Sequence, residues 1–123
     1  EVDLRVLATD SELRMLVLNL VQNAFHAMPE GGTLRVVGRV DEDRVVMRVI
    51  DTGGGIEPDV VPMIFDPFFS RRADGIHGTG LGLTICKAIT ARYQGRIDVE
   101  SRLGQGTTFT VSFPPADASK AFP

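Results

Sequence analysis

The sequence predicts an α/β sandwich, with about three helices on one face of a mixed, mostly antiparallel sheet. Two observations predict it: five stretches show the alternation of strands, and two long stretches show helical spacing of apolar residues. The order is strand, helix, two strands, short helix, loop, helix, two strands. The 123 residues, 43% hydrophobic and 24% charged, fit one globular domain, residues 1–123. The other sheet face is expected to be open or covered by a partner domain.

The first half of the chain contains a strand, a long helix and a hairpin. VDLRVLAT alternates as a strand does, and DSELRMLVLNLVQNAFHAM follows as a helix that Asp10 or Ser11 can cap. Pro29 and the Gly31-Gly32 pair end this helix. TLRVVGRV and RVVMRVID then form two strands joined by the polar turn DED. The core stripe of the helix is predicted to be Leu13, Leu16, Val17, Leu20 and Ala24.

The second half contains a short helix, a loop, a long helix and a final hairpin. VVPMIFDPFFS is apolar but carries two prolines, which favours a short helix followed by a loop. SRRADGIHGTG is typical of a mobile surface loop, and LGLTICKAITARYQG is a helix closed by Gly95. RIDVESRLG and GTTFTVSFP make a hairpin around LGQG. The tail from about residue 115 is expected to be loosely held.

Composition and charge exclude several classes of function. The net charge of −3 gives no general basic field, so no nucleic-acid partner is expected. Two histidines without a CxxC or HExxH motif argue against a zinc site. The single cysteine, Cys86, lies in an apolar helical pattern and is predicted to be a buried structural thiol.

Two asparagines stand out on the first helix. The i, i+4 spacing of Asn19 and Asn23 puts both amides on one stripe. Asparagine competes for backbone hydrogen bonds and is a mediocre helix former, so two in register need partners. They form either a solvated helix face or a polar floor that offers oxygen ligands to a hard cation such as Mg²⁺.

Asp51 and two glycine-rich stretches are the other candidates. Asp51, at the end of an apolar strand, is either an exposed turn residue or a buried acceptor for an exocyclic amine such as that of adenine. Gly53 and Gly55 would let the backbone bend tightly against a ligand. GTGLGL runs into a helix, so it is either a flexible loop or a cradle for phosphate at a helix N-terminus. It matches neither the P-loop nor the dinucleotide fingerprint.

The order of all these elements is more specific than any one of them. NLVQNA, DTGGGI, FDPFF, GTGLGL and a closing GTTFTVSFP follow one another along the chain. This set resembles the ATP-binding catalytic domain of bacterial sensor histidine kinases, whose superfamily includes gyrase B, heat-shock chaperones and MutL proteins. The resemblance spans roughly residues 2–114. It implies the Bergerat type of two-layer α/β sandwich, with ATP and Mg²⁺ as cofactors.

The resemblance also implies roles for individual residues. Asn23 would coordinate Mg²⁺, Asn19 would line the same site, and Asp51 would bond the adenine amino group. Gly53, Gly55 and Ile56 would shape the adenine pocket, with Thr107 beside the base. Phe65, Phe68 and Phe69 would anchor a lid over the nucleotide. Gly78, Gly80 and Gly82 would bring backbone N–H groups to the phosphates, Leu81 would pack beneath them, and Thr79 is a further nucleotide-binding residue.

Three positions depart from the pattern of these kinases. Met15 stands where many carry glutamine or glutamate, which removes a polar contact near the transferred phosphate. His26 replaces a lysine, arginine or glutamine; it either bonds a phosphate oxygen or faces solvent. Arg72 matches a lid lysine, with Arg71 adding a second guanidinium, and both either grip phosphate or lie on a solvated loop. With Asn19 and Asn23, His26 and Arg72 complete the predicted catalytic set.

The kind of reaction follows from one further position. ATP-hydrolysing members carry a water-activating glutamate one turn before the magnesium asparagine, whereas this chain has Asn19, which cannot act as a base. Transfer to another acceptor is therefore favoured over hydrolysis. A conformational ATPase, an anti-sigma-type serine kinase and a non-binding module of the same fold are the alternatives.

The resemblance implies partners outside this chain. Neither His26 nor His77 is followed by the acidic residue typical of the phosphoacceptor, so the acceptor histidine is expected in an upstream dimerisation domain. A response regulator receiver domain is the expected downstream partner. The catalytic domain alone should be monomeric and cytoplasmic, and any membrane anchor would belong to a missing sensor region.

Overall fold

A computed structural model describes residues 10–41, 43–67, 69 and 82–114 of the chain. It contains helix α1 (Asp10–Ala27), strands β1 (Leu34–Asp41) and β2 (Arg44–Asp51), a short 3₁₀ helix (Val61–Met63), helix α2 (Gly82–Arg92), and strands β3 (Arg96–Arg102) and β4 (Gly106–Phe113). The predicted first strand, the loop of residues 70–80 and the tail from about residue 115 lie outside the described residues.

The strands form one four-stranded sheet in the order β1-β2-β4-β3. The three pairings between these strands are antiparallel. The helices α1 and α2 pack against each other, α1 on β2 and α2 on β3. The predicted fold class, an α/β sandwich with a mostly antiparallel sheet, is therefore confirmed, with two α-helices and one 3₁₀ helix in the described part.

Four of the five residues of the predicted apolar stripe of α1 pack in the core, whereas Val17 is only half-buried. Leu16 and Leu20 are fully buried and Ala24 almost so, while Leu13 packs partly buried at the edge of the same core. Burying an apolar side chain of this size contributes about 1.5–3 kcal/mol. This stripe therefore fixes which face of α1 lies on the sheet, and so which side chains remain on its other faces.

The inner strands β2 and β4 carry the sheet's share of the core. Val49 and Phe109 are opposite each other in the register, and each is 1% exposed. Because side chains alternate along a strand, Val111 and Phe113 point to the same face as Phe109 and are also buried. On this buried face, the last residue of β2 is Asp51 and the first residue of β4 is Thr107, and both are polar.

The end of α2 differs from the prediction in one detail. The helix ends at Arg92, and the residue with left-handed backbone is Gln94, at φ 62°, rather than Gly95. The N–H of Gly95 donates to the carbonyl of Thr90 at 2.7 Å. Gly95 is required for a different reason: a Cβ there would lie 2.6 Å from the carbonyl oxygen of Ser112. The glycine is therefore fixed by packing against β4 rather than by the cap.

Neither helix in the described ranges is both long and apolar enough to cross a lipid bilayer.

Candidate functional site

Asn19, the first asparagine of the pair on α1, lies beside the first residue of α2. Asn19 and Asn23 are half-buried, and a Cβ built on Gly82 would lie 3.8 Å from Asn19 Oδ1. The N-terminus of a helix carries unsatisfied N–H groups and a partial positive charge. An amide oxygen that can coordinate a cation and N–H groups that attract an anion therefore occur side by side. This combination suits an anionic ligand accompanied by a hard cation.

Asp51 is a buried acceptor and not an exposed turn residue, while its bond to an exocyclic amine stays a prediction. Its side chain is 4% exposed, and its Oδ1 accepts the N–H of Gly53 at 2.8 Å. The N–H of Thr107, its partner across the β2–β4 pair, also hydrogen-bonds it. Burial raises the pKa of the Asp51 carboxyl above its usual value, and the two N–H donors partly offset that rise.

The loop after Asp51 is held between the end of α1 and the end of β3. A Cβ on Gly53 would collide with the carbonyl oxygen of Ala27, and the N–H of Gly54 donates to that same oxygen at 3.3 Å. Gly55 has φ +78°, and a Cβ there would collide with the carbonyl oxygen of Arg102. The sequence predicts that these glycines let the backbone bend against a ligand. In the structure, the position that a Cβ would take on Gly53 or Gly55 is instead occupied by backbone atoms of the protein itself.

Ser101 connects this loop to β4 and was missed by the sequence reasoning. Its Oγ accepts the N–H of Ile56 at 2.7 Å, donates to the carbonyl of Gly106 at 3.1 Å, and lies 2.8 Å from Thr107 Oγ1. The signal was present in the alternation of β3. Ile97 and Val99 face the core at every second position, and the next residue in that phase is a serine, which needs partners there.

Phe65 joins the segment after the 3₁₀ helix to the start of α2. Its ring packs edge-on against Phe109, with centroids 6.3 Å apart, and the Lys87 ammonium lies 5.5 Å from its centroid. The Thr84 hydroxyl donates to the carbonyl of Phe65 at 2.8 Å, a contact that the sequence did not indicate. Phe69 also packs partly buried on the core. Both phenylalanines thus anchor the chain on either side of the Phe68 position, which lies outside the described residues.

Several predicted site residues stay predictions. Arg72, Gly78, Thr79, Gly80 and Leu81 lie outside the described residues, as does Arg71. His26 is half-buried near the end of α1, and Met15 is exposed on the same helix. No group of three or more His, Cys, Asp or Glu side chains within the described ranges is placed to hold a metal ion.

Comparison with known proteins identifies the family. Residues 8–117 match the family of histidine kinase-, DNA gyrase B- and HSP90-like ATPases. The chain is 36% identical to sporulation kinase D of Bacillus subtilis over 115 residues, which is 93% of this chain and 22% of that protein. It is 38% identical to the phosphate regulon sensor protein PhoR of Pseudomonas aeruginosa over 116 residues, 92% of this chain and 26% of PhoR.

The solved structures similar to this chain also include histidine kinases. The nucleotide-free catalytic domain of histidine kinase ThkA superposes with a TM-score of 0.80 at 34% identity, covering 93% of this chain and 74% of that one. Full-length ShkA in complex with AMPPNP superposes with a TM-score of 0.79 at 35% identity, covering 90% of this chain and 23% of ShkA.

The chain spans about a quarter of the length of the curated relatives it matches. The matched family model covers most of the chain, including both helices and all four described strands. These relatives and solved structures are sensor and sporulation kinases or their catalytic domains. The chain therefore belongs to the histidine kinase-, DNA gyrase B- and HSP90-like ATPase family, as an ATP-binding catalytic domain of the sensor histidine kinase type.

Proposed function

We propose that this chain binds Mg²⁺-ATP and transfers the γ-phosphoryl group to a histidine on an upstream or separate dimerisation domain, in two-component signal transduction. The observation that carries the proposal is the convergence of Asn19 with the N-terminus of α2. The buried Asp51–Thr107 pair, at the end of β2 and the start of β4, is a second polar group, with which a nucleobase could form hydrogen bonds. The AMPPNP complex of the similar ShkA supports a nucleotide as the ligand.

The chemistry of the residues fits this ligand. Asn23 would coordinate the metal with Asn19 lining the same site, since both are half-buried on one stripe of α1 and α2 begins beside Asn19. Bound Mg²⁺ would supply neutralisation of phosphate charge. Asp51 would accept from the adenine amino group, with Ile56 as an apolar wall. Gly78, Gly80 and Gly82 would donate backbone N–H groups to phosphate, with Leu81 packed beneath them and Thr79 in the same nucleotide-binding segment. Phe69 would anchor the lid.

The absence of a base at position 19 favours transfer over hydrolysis. An amide cannot take a proton from water at neutral pH, so Asn19 can orient but not activate a nucleophile. Phosphoryl transfer depends mainly on positioning and charge neutralisation, which His26 and Arg72 would assist. The acceptor would be supplied by the dimerisation domain, and a receiver domain would then take the phosphoryl group. We place the domain in the cytoplasm and expect it to be monomeric alone.

The first test is ATP binding by the Asn23→Ala variant. Removing the amide should lower Mg²⁺-dependent ATP affinity at least roughly tenfold, because a hard cation loses an oxygen ligand. Gln22→Ala is the matched control: it removes a neighbouring, exposed amide from the same helix. Isothermal titration with ATP, with and without Mg²⁺, measures both variants. Equal affinities for the two variants would contradict the metal role of Asn23.

The second test distinguishes the reaction. The full-length kinase with γ-labelled ATP should form an acid-labile, base-stable phosphohistidine and release little free phosphate. Rapid phosphate release without phosphohistidine would favour the conformational ATPase instead. A phosphoserine on a partner protein would favour the serine kinase, and no heat on titration with Mg²⁺-ATP would favour a non-binding module.

A further inference from the structure

The Ser101 hydroxyl has a fixed set of partners. A serine hydroxyl offers one proton and two lone pairs. The N–H of Ile56 can only donate, so it occupies one lone pair of Ser101 Oγ at 2.7 Å. The carbonyl oxygen of Gly106 can only accept, so its bond at 3.1 Å uses the Ser101 proton. One lone pair of Ser101 is left for its third neighbour.

That third neighbour is the hydroxyl of Thr107. Its Oγ1 lies 2.8 Å from Ser101 Oγ, and either oxygen could donate by distance alone. Because the Ser101 proton is used by Gly106, the Thr107 hydroxyl must be the donor. The opposite direction would break the hydrogen bond from the Ser101 hydroxyl to the carbonyl of Gly106, a buried residue, and breaking a buried hydrogen bond is costly. Thr107 Oγ1 is then left with lone pairs only.

Thr107 sits beside Asp51 at the end of the sheet. The two residues are register partners across β2 and β4, each is 4% exposed, and the Thr107 N–H hydrogen-bonds the Asp51 side chain. A carboxylate offers only acceptors. With the Thr107 hydroxyl turned toward Ser101, both side chains at this end of the sheet are acceptors. Such a pair favours a ligand that presents N–H donors and disfavours one that presents a carbonyl.

We propose that Ser101 is a positioning residue that fixes the Thr107 hydroxyl as an acceptor and thereby makes the site select 6-aminopurine over 6-oxopurine nucleotides. This inference rests on the proposed nucleotide function. A 6-amino group donates, whereas a 6-oxo group accepts and would meet two unpaired acceptors. Ser101 acts through Thr107 and is not assigned a contact with the ligand.

The experiment compares ATP with inosine triphosphate (ITP), whose base carries a 6-oxo group and an N1–H where adenine carries a 6-amino group and an unprotonated N1. Affinities of both with Mg²⁺ are measured by isothermal titration for the wild type, Ser101→Ala, Thr107→Val and the double variant. Ser101→Ala frees the Thr107 hydroxyl to donate to the 6-oxo group. The ratio of ATP to ITP affinity should therefore fall by roughly threefold to tenfold. In the Thr107→Val background, Ser101→Ala should leave that ratio unchanged.

Controls separate this role from a structural one. Ser101→Thr keeps a hydroxyl and should retain the wild-type ratio, and Ser112→Ala removes a serine from the other face of β4 and should leave it unchanged. If Ser101→Ala does not fold, as judged by circular dichroism, Ser101→Cys replaces the hydroxyl with a weak donor and acceptor of similar size and should lower the ratio in the same direction.

The outcomes distinguish the inference from the function beneath it. If the wild type binds Mg²⁺-ATP but Ser101→Ala weakens ATP and ITP equally, Ser101 has only a structural role and the inference is overturned while the function stands. A Ser101→Ala effect of the same size in the Thr107→Val background would also overturn it, because Thr107 would not be the intermediary. If the wild type binds neither nucleotide, the proposed function fails with it.

Discussion

The buried carboxylate of Asp51 is available to accept a hydrogen bond from a ligand, but its burial lowers the stability of the ligand-free protein. Burial removes water from the carboxylate, and the N–H groups of Gly53 and Thr107 replace only part of what is lost. The pKa of Asp51 is therefore raised. In the native state the proton is held at pH values where the unfolded chain has already released it. An amine donor from a ligand would offset this cost by pairing with the carboxylate.

The Asp51→Asn variant tests this at the residue scale. Because the folded pKa is above the unfolded value of 3.8, the native state holds more protons between those two pH values, and wild-type stability should fall as pH rises through that window. The asparagine variant lacks this titration. The melting temperature of the variant minus that of the wild type should therefore increase as pH rises through the same window. Thermal melts at a series of pH values measure the difference.

The ligand side of the same variant gives a second readout. An amide can present a donor where the carboxylate only accepts, so Asp51→Asn should reduce the preference for ATP over GTP by roughly tenfold. Asp98→Asn, at an exposed aspartate of β3, is the control for both measurements. Unchanged nucleotide preference would refute the role of Asp51 as the base acceptor.

At the scale of elements, α2 is tied down at both ends. At its start, Thr84 donates to the carbonyl of Phe65, and Gly82 lies beside Asn19. At its end, the Tyr93 hydroxyl donates to Glu12 in the first turn of α1, and the Arg92 guanidinium lies 3.4 Å from the same carboxylate. The position of α2 beside Asn19 therefore depends on contacts at both ends of α2.

Tyr93→Phe should cost more stability than Arg92→Gln. The tyrosine bond is part-buried and accepted by a charged group, which is worth roughly 1.5–3 kcal/mol. The Arg92 side chain is 69% exposed, so water screens its ion pair and its loss should cost at most about 1 kcal/mol. Both variants keep the length of α2, and Tyr93→Phe keeps the ring beneath Arg92. Urea unfolding gives the two values, and the reverse order would contradict this account.

At the scale of the whole molecule, Cys86 reports on the packing between the two helices. It is 0% exposed, its Sγ lies 3.7 Å from the carbonyl oxygen of Leu16, and burial raises the pKa of its thiol to about 12. The predicted buried structural thiol is confirmed. A thiol that is neutral and without solvent access cannot react with a disulfide reagent until the core opens.

Labelling of Cys86 should therefore follow opening of the core and slow down when nucleotide binds. Where reclosing is faster than labelling, Mg²⁺-ATP at one hundred times its Kd should slow the reaction roughly a hundredfold, since only the folded state binds it. A Cys86→Ser variant is the control for the reagent. Labelling at the free-thiol rate, or at a rate that nucleotide does not change while titration shows binding, would contradict the assignment of Cys86 to the cooperative core.

The local patterns of the sequence were enough to predict the described helices and strands. Leu16, Leu20 and Ala24 repeat at helical spacing, and the alternation from Arg44 to Asp51 fits a strand, because each pattern reports the single face that an element buries. The resemblance carried by the ordered motifs was enough for the family. Gly95 shows the limit of local reasoning, since its place after a helix suggested a cap and its close contact with Ser112 explains it better.

What the sequence by itself determined is the kind and order of the described helices and strands from Asp10 to Phe113, most of the buried stripe of α1, and the family. The tertiary structure decided which polar residues meet. The strand order β1-β2-β4-β3 sets Thr107 against Asp51, and packing of the helices sets Gly82 beside Asn19. Ser101 acquires its role only when the end of β3 reaches the loop that contains Ile56. A pattern specifies which face of an element is buried, whereas the neighbour on that face is chosen by contacts between residues distant in the chain.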